Sequence, residues 1–116
     1  MTHVLDSSGW VDYFVNGDNA GKFAVPAQDV ENLIVPTICL YEVFKRVLLE
    51  LGEDDALETI GQMLLGNVVD LDSNIAIHAA KISLEFKLAM ADSIILATAQ
   101  MNNAILWTQD EHFKGL

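Results

Sequence analysis

The sequence has a single cysteine and no long apolar run. Cys39 alone cannot form an internal disulfide, which is typical of proteins in the reducing cytosol. Pro36, Glu42 and Asp92 interrupt the longest apolar stretches, so none reaches the roughly 18 residues needed to cross a bilayer. The first residues, MTHVLDSS, lack the basic flank and apolar centre of a signal peptide. We therefore expect a cytoplasmic protein without a membrane segment.

Basic residues are also scarce. Six lysines and arginines stand against 17 acidic residues, giving a net charge of −11. Such a charge repels polyanions and argues against a nucleic-acid binder that relies on a broad basic surface. Any contact with nucleic acid must then be local or mediated by a metal ion.

Apolar residues, by contrast, are abundant. They make up 52% of the 116 residues, which is ample for one domain spanning residues 1–116. A mean hydropathy of +0.31 is high for so acidic a chain. It suggests that another subunit or a partner covers part of the apolar surface.

Segments with the patterns of strands and helices alternate along the chain. Strands are predicted at HVLD, NLIVP, NVVDLD and NAILWT, and helices at SSGWVDYFV, 37–51, 54–64, 75–86 and AMADSIILATAQM, with a helical turn at QDEHF. The predicted helix caps are Ser7 or Ser8 for the first helix, Thr37 for the second, and Asp72 or Ser73 for the helix at 75–86. The segment NGDNAG is predicted to be a turn-rich connection. This alternation predicts an α/β fold with a largely parallel sheet between helices.

Four acidic residues stand where such a fold brings side chains together. Asp6 closes the first predicted strand and Asp110 follows the fourth, so both reach the carboxyl edge of the sheet. Glu42 lies in the second turn of the helix after strand two, and Asp92 in the first turn of the helix before strand four. Parallel topology can bring both helix starts to the same edge.

Four carboxylates in one cleft repel one another, by roughly 1 to 4 kcal/mol per close pair. Mg²⁺ or Mn²⁺ is the best compensation, because these ions take oxygen ligands and keep waters that a phosphate can replace. The pattern indicates metal-assisted hydrolysis of a phosphodiester.

Each acid also has a structural alternative. Asp6 could cap the helix that follows it, Asp92 could be favoured by the helix dipole, and Asp110 could start a turn. Glu42 could pair with Lys45 or Arg46 at helical spacing. The metal hypothesis depends on the four acids together rather than on any one of them.

Four segments, LDSSGWVDYF, PTICLYEVF, LAMADSIILATA and LWTQDEHF, resemble in order the motifs of PIN-domain nucleases. The resemblance is strongest to the VapC toxins of type II toxin–antitoxin systems and covers essentially the whole chain. It implies a three-layer α/β/α fold around a central, mainly parallel sheet of four or five strands. It also implies an endoribonuclease with Mg²⁺ or Mn²⁺, an antitoxin partner and a homodimer.

The resemblance assigns catalytic roles to Asp6, Glu42, Asp92 and Asp110, with Asp6, Asp92 and Asp110 as metal ligands and Ser7, Ser8 and Thr108 as supporting residues. Two departures stand out. Many relatives have an acid in place of His112, and the sequence stops at Leu116 where relatives commonly continue into another strand.

The alternatives differ in what the acids do. A phosphoacceptor domain would need a lysine after the last strand, and a haloacid-dehalogenase-like phosphatase would need an acid at Ser8, so both are rejected. A catalytically silent PIN module acting in binding or assembly stays open. For phosphate contacts we predict Lys45 and Arg46, then Lys87.

Overall fold

The computed structural model describes residues 1–113, whose strands form one parallel sheet. The strands are β1 (Thr2–Leu5), β2 (Leu33–Pro36), β3 (Asn67–Val69) and β4 (Ala104–Trp107), in the order β3-β2-β1-β4. The predicted sheet is confirmed in its four-stranded form. Residues 114–116, after which relatives commonly continue into another strand, lie outside the described residues.

Helices cover both faces of this sheet. They are α1 (Ser7–Phe14), α2 (Ala20–Ala27), α3 (Thr37–Leu51), α4 (Glu53–Met63), α5 (Ser73–Phe86) and α6 (Met90–Met101). One core cluster joins β1 and β2 to helices α1 to α4 and to one side of α6, and a second joins α5, the other side of α6 and Phe113. The three-layer α/β/α fold is thus confirmed. Within residues 1–113, no helix is both long and apolar enough to cross a membrane.

The predicted helix caps are only partly correct. Helix α1 begins at Ser7 itself, so the cap is Asp6, whose carboxylate accepts a hydrogen bond from the Gly9 backbone N–H at 2.8 Å. Helix α3 likewise begins at Thr37, which leaves that residue inside the helix and without a capping role. Asp72 does cap α5, since it accepts from the Ile75 backbone N–H at 2.9 Å.

Helix α2 is absent from the sequence prediction and begins within the segment predicted as a turn. Gly21 and Pro26 lower its intrinsic helix propensity, and its first turn has no side-chain cap. Burial stabilises the helix instead, because Phe23 is fully buried and Pro26 and Ala27 also face the core. Tertiary packing here overrides a weak local signal.

The register of β1 against β4 positions the start of the candidate site. Leu5 pairs with Trp107, and the Asp6 backbone N–H donates to the Trp107 carbonyl at 3.1 Å. The next residues on the two strands are Asp6 and Thr108, which therefore lie side by side at the carboxyl edge of the sheet. β3 ends at Val69, earlier than predicted, because the chain turns there toward the Asp72 cap.

Candidate metal centre at the carboxyl edge of the sheet

Asp6 is the most enclosed of the four predicted acids. Its residue is 3% exposed. One carboxylate oxygen accepts from the Gly9 N–H and from the Ser8 hydroxyl at 3.0 Å, and the other accepts from the Thr108 hydroxyl. Burial raises the pKa of Asp6, and these three donors offset part of that effect. Asp6 is thus both the cap of α1 and a fixed carboxylate of the edge.

Thr108 links Asp6 to Asp110. Its hydroxyl donates to Asp6 and accepts from the Asp110 backbone N–H at 2.8 Å. The Asp110 carboxylate accepts from the His112 backbone N–H at 2.9 Å, so the turn predicted for Asp110 is present. A single threonine therefore orients acidic residues from opposite ends of the sequence.

Asp92 lies in the first turn of α6 and is half-buried. Burial raises its pKa, and the charges of Asp110, Glu42 and Asp6 raise the pKa further, while His112 lowers it. Asp92 is therefore close enough to each of the other three predicted acids for their charges to act on it. The dipole of α6 favours a negative charge here, but the neighbouring carboxylates oppose it.

Glu42 projects from the second turn of α3 and accepts a hydrogen bond from the Ser7 hydroxyl at 2.6 Å. The expected alternative partners are engaged elsewhere. Arg46 pairs with Glu50 at 2.7 Å, and the Lys45 ammonium lies 5.6 Å from the centre of the Tyr41 ring. Glu42 thus faces α1 rather than the basic residues of its own helix.

A groove runs beside Glu42 and has a volume of about 320 Å³. Its lining combines hydroxyls, one carboxylate, two cations and apolar side chains: Ser7, Ser8, Val11, Tyr41, Glu42, Lys45, Arg46 and Leu49. The two residues predicted first for phosphate contact therefore line the same groove as Glu42. Lys87, the third, is exposed at the end of α5.

His112 belongs to the centre, although the sequence marked it only as a missing carboxylate. One ligand atom each from Asp92, Asp110 and His112 lies within 4.8 Å of the other two. His112 Nδ1 is 3.2 Å from Asp110 Oδ1 and 3.9 Å from Asp92 Oδ2. Two signals in the sequence could have found it: its position two residues after Asp110, and its place where many relatives have an acid.

The donor set fits a divalent cation. Carboxylate oxygens and one imidazole nitrogen are ligands for ions of this class, and a positive charge would relieve the repulsion that, after burial, raises the pKa of Asp92. Cys39 is fully buried beneath this edge, and burial raises the pKa of its thiol, which makes it a poor ligand.

The sequence profile of the PIN domain matches residues 3–116. The chain belongs to the PIN-domain family. The predicted resemblance to PIN-domain nucleases is therefore confirmed, and the solved structures similar to this PIN domain include VapC toxins. No curated protein sequence matches the chain.

Three solved structures illustrate the likeness. A toxin–antitoxin complex from Klebsiella pneumoniae has 25% identity and a TM-score of 0.83, with 99% of this chain and 92% of that chain covered. Mycobacterium tuberculosis VapC20, a sarcin–ricin loop cleaving toxin, has 12% identity and a TM-score of 0.78, with 95% and 91% covered. VapBC2 from Rickettsia felis, bound to a promoter DNA fragment, has 17% identity and a TM-score of 0.77, with 98% and 92% covered.

Proposed function

We propose that this PIN-domain protein is a metal-dependent endoribonuclease and the toxin of a VapBC-type toxin–antitoxin pair. The observation that carries the proposal is the convergence of Asp92 and Asp110 beside Asp6, in a fold shared with VapC toxins. One of those relatives is a toxin that cleaves the sarcin–ricin loop. The cytoplasm, where RNA and an antitoxin would both be present, is the proposed site of action.

The four carboxylates have different proposed roles. Asp92 and Asp110, with Asp6 behind them, would hold Mg²⁺ or Mn²⁺. When bound, the ion would activate water for attack on phosphorus and stabilise negative charge on the phosphate. Thr108 would fix the Asp6 carboxylate and the Asp110 backbone N–H through its hydroxyl, and Glu42, which accepts from Ser7, would complete the acidic cleft. Serine and threonine hydroxyls thus fix the geometry of the acids.

The groove beside Glu42 is the proposed path of the RNA backbone. Lys45 and Arg46 line it and would contact phosphates, compensating locally for the net charge of −11. Lys87 is a third proposed contact. With so few cations, affinity for RNA should depend on the bound metal and on shape rather than on a broad basic surface.

An antitoxin and a second copy of the chain are the proposed protein partners. The cluster of Asp6, Glu42, Asp92 and Asp110 suits a basic segment of an antitoxin, and the solved structures similar to this chain include toxin–antitoxin complexes. Several large apolar side chains are well exposed, among them Leu49, Leu65, Ile77 and Leu84. Burying them against a second copy would account for the high mean hydropathy.

The decisive test is cleavage of RNA by the purified chain. We expect cleavage with Mg²⁺ or Mn²⁺ and none with a chelator. Asp92→Asn should abolish cleavage while the metal-free protein stays folded. The same ions should raise the melting temperature of the wild type but not of Asp92→Asn, since only the wild type retains the full carboxylate site.

Asp70→Asn is the matched control, because Asp70 is an exposed aspartate outside the site. It should cleave like the wild type. Metal binding without any cleavage would instead support the silent PIN module, and unfolding of Asp92→Asn would show that Asp92 is structural. Expression in cells should also arrest growth unless an antitoxin is present.

A further inference from the structure

We infer that His112 is a metal ligand whose nitrogen makes this centre select Mn²⁺ over Mg²⁺. The inference rests on the proposed function, since it takes the carboxylates to hold a divalent cation. It assigns a specific role to His112, which stands where the resemblance to PIN-domain nucleases leads us to expect an acid. Its basis is the arrangement of three side chains and the coordination chemistry of the two ions.

The distances fit one coordination sphere. In an octahedral site with bonds of about 2.1 Å, neighbouring ligand atoms are about 3 Å apart and opposite ones about 4.2 Å apart. His112 Nδ1 lies 3.2 Å from Asp110 Oδ1 and 3.9 Å from Asp92 Oδ2. Both separations fall in this range, so a single ion can contact the imidazole and both carboxylates with little movement.

The backbone holds His112 in place for this role. Its N–H donates to the Asp110 carboxylate at 2.9 Å, in a short 3-10 helix from Glu111 to Phe113. Phe113 is buried in the second core cluster and anchors this helix. The His112 side chain is 76% exposed, so bringing its nitrogen to an ion would remove little core packing.

The ligand types then determine which ion is preferred. Mg²⁺ demands oxygen ligands in near-ideal octahedral geometry and gives up its waters reluctantly. Mn²⁺ accepts carboxylates as well, and as a first-row transition-metal ion, although the lowest in the affinity order of that series, it takes a nitrogen donor more readily than Mg²⁺ does. A centre with two carboxylates and one imidazole therefore favours Mn²⁺, whereas an all-carboxylate centre would discriminate less.

A competing arrangement is a plain ion pair between the imidazolium of His112 and the two carboxylates. In that case an arriving cation displaces the ring instead of using it. The two arrangements predict different results for nitrogen coordination and for ion preference, which can be measured without RNA.

The experiment measures Mn²⁺ and Mg²⁺ binding to the whole chain by calorimetry, and nitrogen coupling to bound Mn²⁺ by pulsed electron paramagnetic resonance. The wild type should bind Mn²⁺ more tightly and show coupling to an imidazole nitrogen. His112→Asn should lose that coupling and weaken Mn²⁺ binding by about tenfold or more, since loss of even an outer-shell partner of a metal ligand costs about 10 to 100-fold in affinity. Its Mg²⁺ affinity should change much less.

Two further variants sharpen the assignment. His112→Asp replaces nitrogen with oxygen and should still bind both ions, but with a smaller preference for Mn²⁺. His78→Asn is the matched control, because His78 lies on α5 and bonds to Gln100, outside the centre. It should retain both the nitrogen coupling and the preference.

The outcomes separate the inference from the proposed function. If the wild type binds both ions, Asp92→Asn abolishes binding and His112→Asn changes neither the ion preference nor the coupling, the inference is wrong and the carboxylate centre stands. If the wild type binds neither ion, both fail. Unchanged melting of metal-free His112→Asn would confirm that its loss of Mn²⁺ is not a loss of fold.

Discussion

Asp6 and Asp92 are aspartates of the same centre held in opposite ways. Asp6 follows a strand, is almost fully buried and accepts hydrogen bonds from Gly9, Ser8 and Thr108. Asp92 is on a helix and half-buried, and burial together with the charges of three carboxylates raises its pKa. The first has its partners within the fold, whereas the second is left with excess negative charge. A cation should therefore matter most for Asp92.

The two aspartates therefore contribute differently: Asp6 has a fixed position, and Asp92 carries a charge that no partner among residues 1–113 balances fully. The hydrogen bonds of Asp6 contribute to folding whether or not an ion is bound, because they cap α1 and connect β1 to the loop after β4. The charge of Asp92 disfavours the metal-free fold and becomes useful only with a cation. The centre thus has one side, around Asp6, that hydrogen bonds hold in place, and another side, around Asp92, whose negative charge a cation would balance.

Among the substitutions near Asp6, replacing Gly9 should have the largest effect on the stability of the protein. A Cβ at Gly9 would lie 2.9 Å from the buried Phe23 ring and 3.1 Å from the Asp6 carboxylate. We expect Gly9→Ala to lower the free energy of unfolding, because overpacking costs about 1 to 3 kcal/mol and outweighs the roughly 1 kcal/mol that alanine gains over glycine in a helix. Urea denaturation measures this.

Gly61→Ala in α4 is the control, since a Cβ there meets nothing within 4 Å. That variant should be as stable as the wild type or more so. Equal stabilisation by both substitutions would show that α1 does not need its close approach to Asp6.

Removing the two carboxylates should have unequal effects on stability. Asp6→Ala loses the cap of α1 and should lower the free energy of unfolding by about 1 kcal/mol. Asp92→Ala loses a favourable helix-dipole contact but also removes repulsion from three acids, so the metal-free protein should be as stable or more stable. Equal losses in thermal melts would contradict the distinction between them.

The pH dependence of melting should show the smallest effect. Because the pKa of Asp92 is raised by folding, the folded protein binds its proton more tightly than the unfolded chain. Stability from this group is therefore lost as pH rises from the ordinary aspartate value, near 3.9, through the raised value. The melting temperature of the metal-free wild type should fall more steeply over this interval than that of Asp92→Asn. Parallel curves would show that Asp92 ionises freely in the fold.

Much of the fold followed from apolar periodicity. The four strands and five of the six helices of the described residues were predicted, because each has a regular pattern bounded by caps or turn residues. Helix α2 was not predicted, because Gly21 and Pro26 obscure its apolar pattern and its stability depends on the burial of residues such as Phe23. Local sequence carries no measure of such tertiary packing.

The predictions about the site show a similar division. Parallel topology was enough to expect Asp6 and Asp110 at one edge, and the register of β1 and β4 explains why they meet through Thr108. The Ser7 bond to Glu42 and the approach of His112 to Asp92 could not be predicted, because each joins side chains from elements whose relative placement only the fold determines. The catalytic and metal-binding roles themselves stay predictions.

The pairing of β1 with β4 also makes the centre dependent on an intact chain. Asp6 and Thr108 are separated by most of the sequence, yet the carboxylate of one is oriented by the hydroxyl of the other. A fragment interrupted before residue 108 keeps Asp6 and Glu42 but lacks the threonine and Asp110. Partial products of translation or proteolysis would therefore lack the complete acidic centre even where their helices and first strands fold.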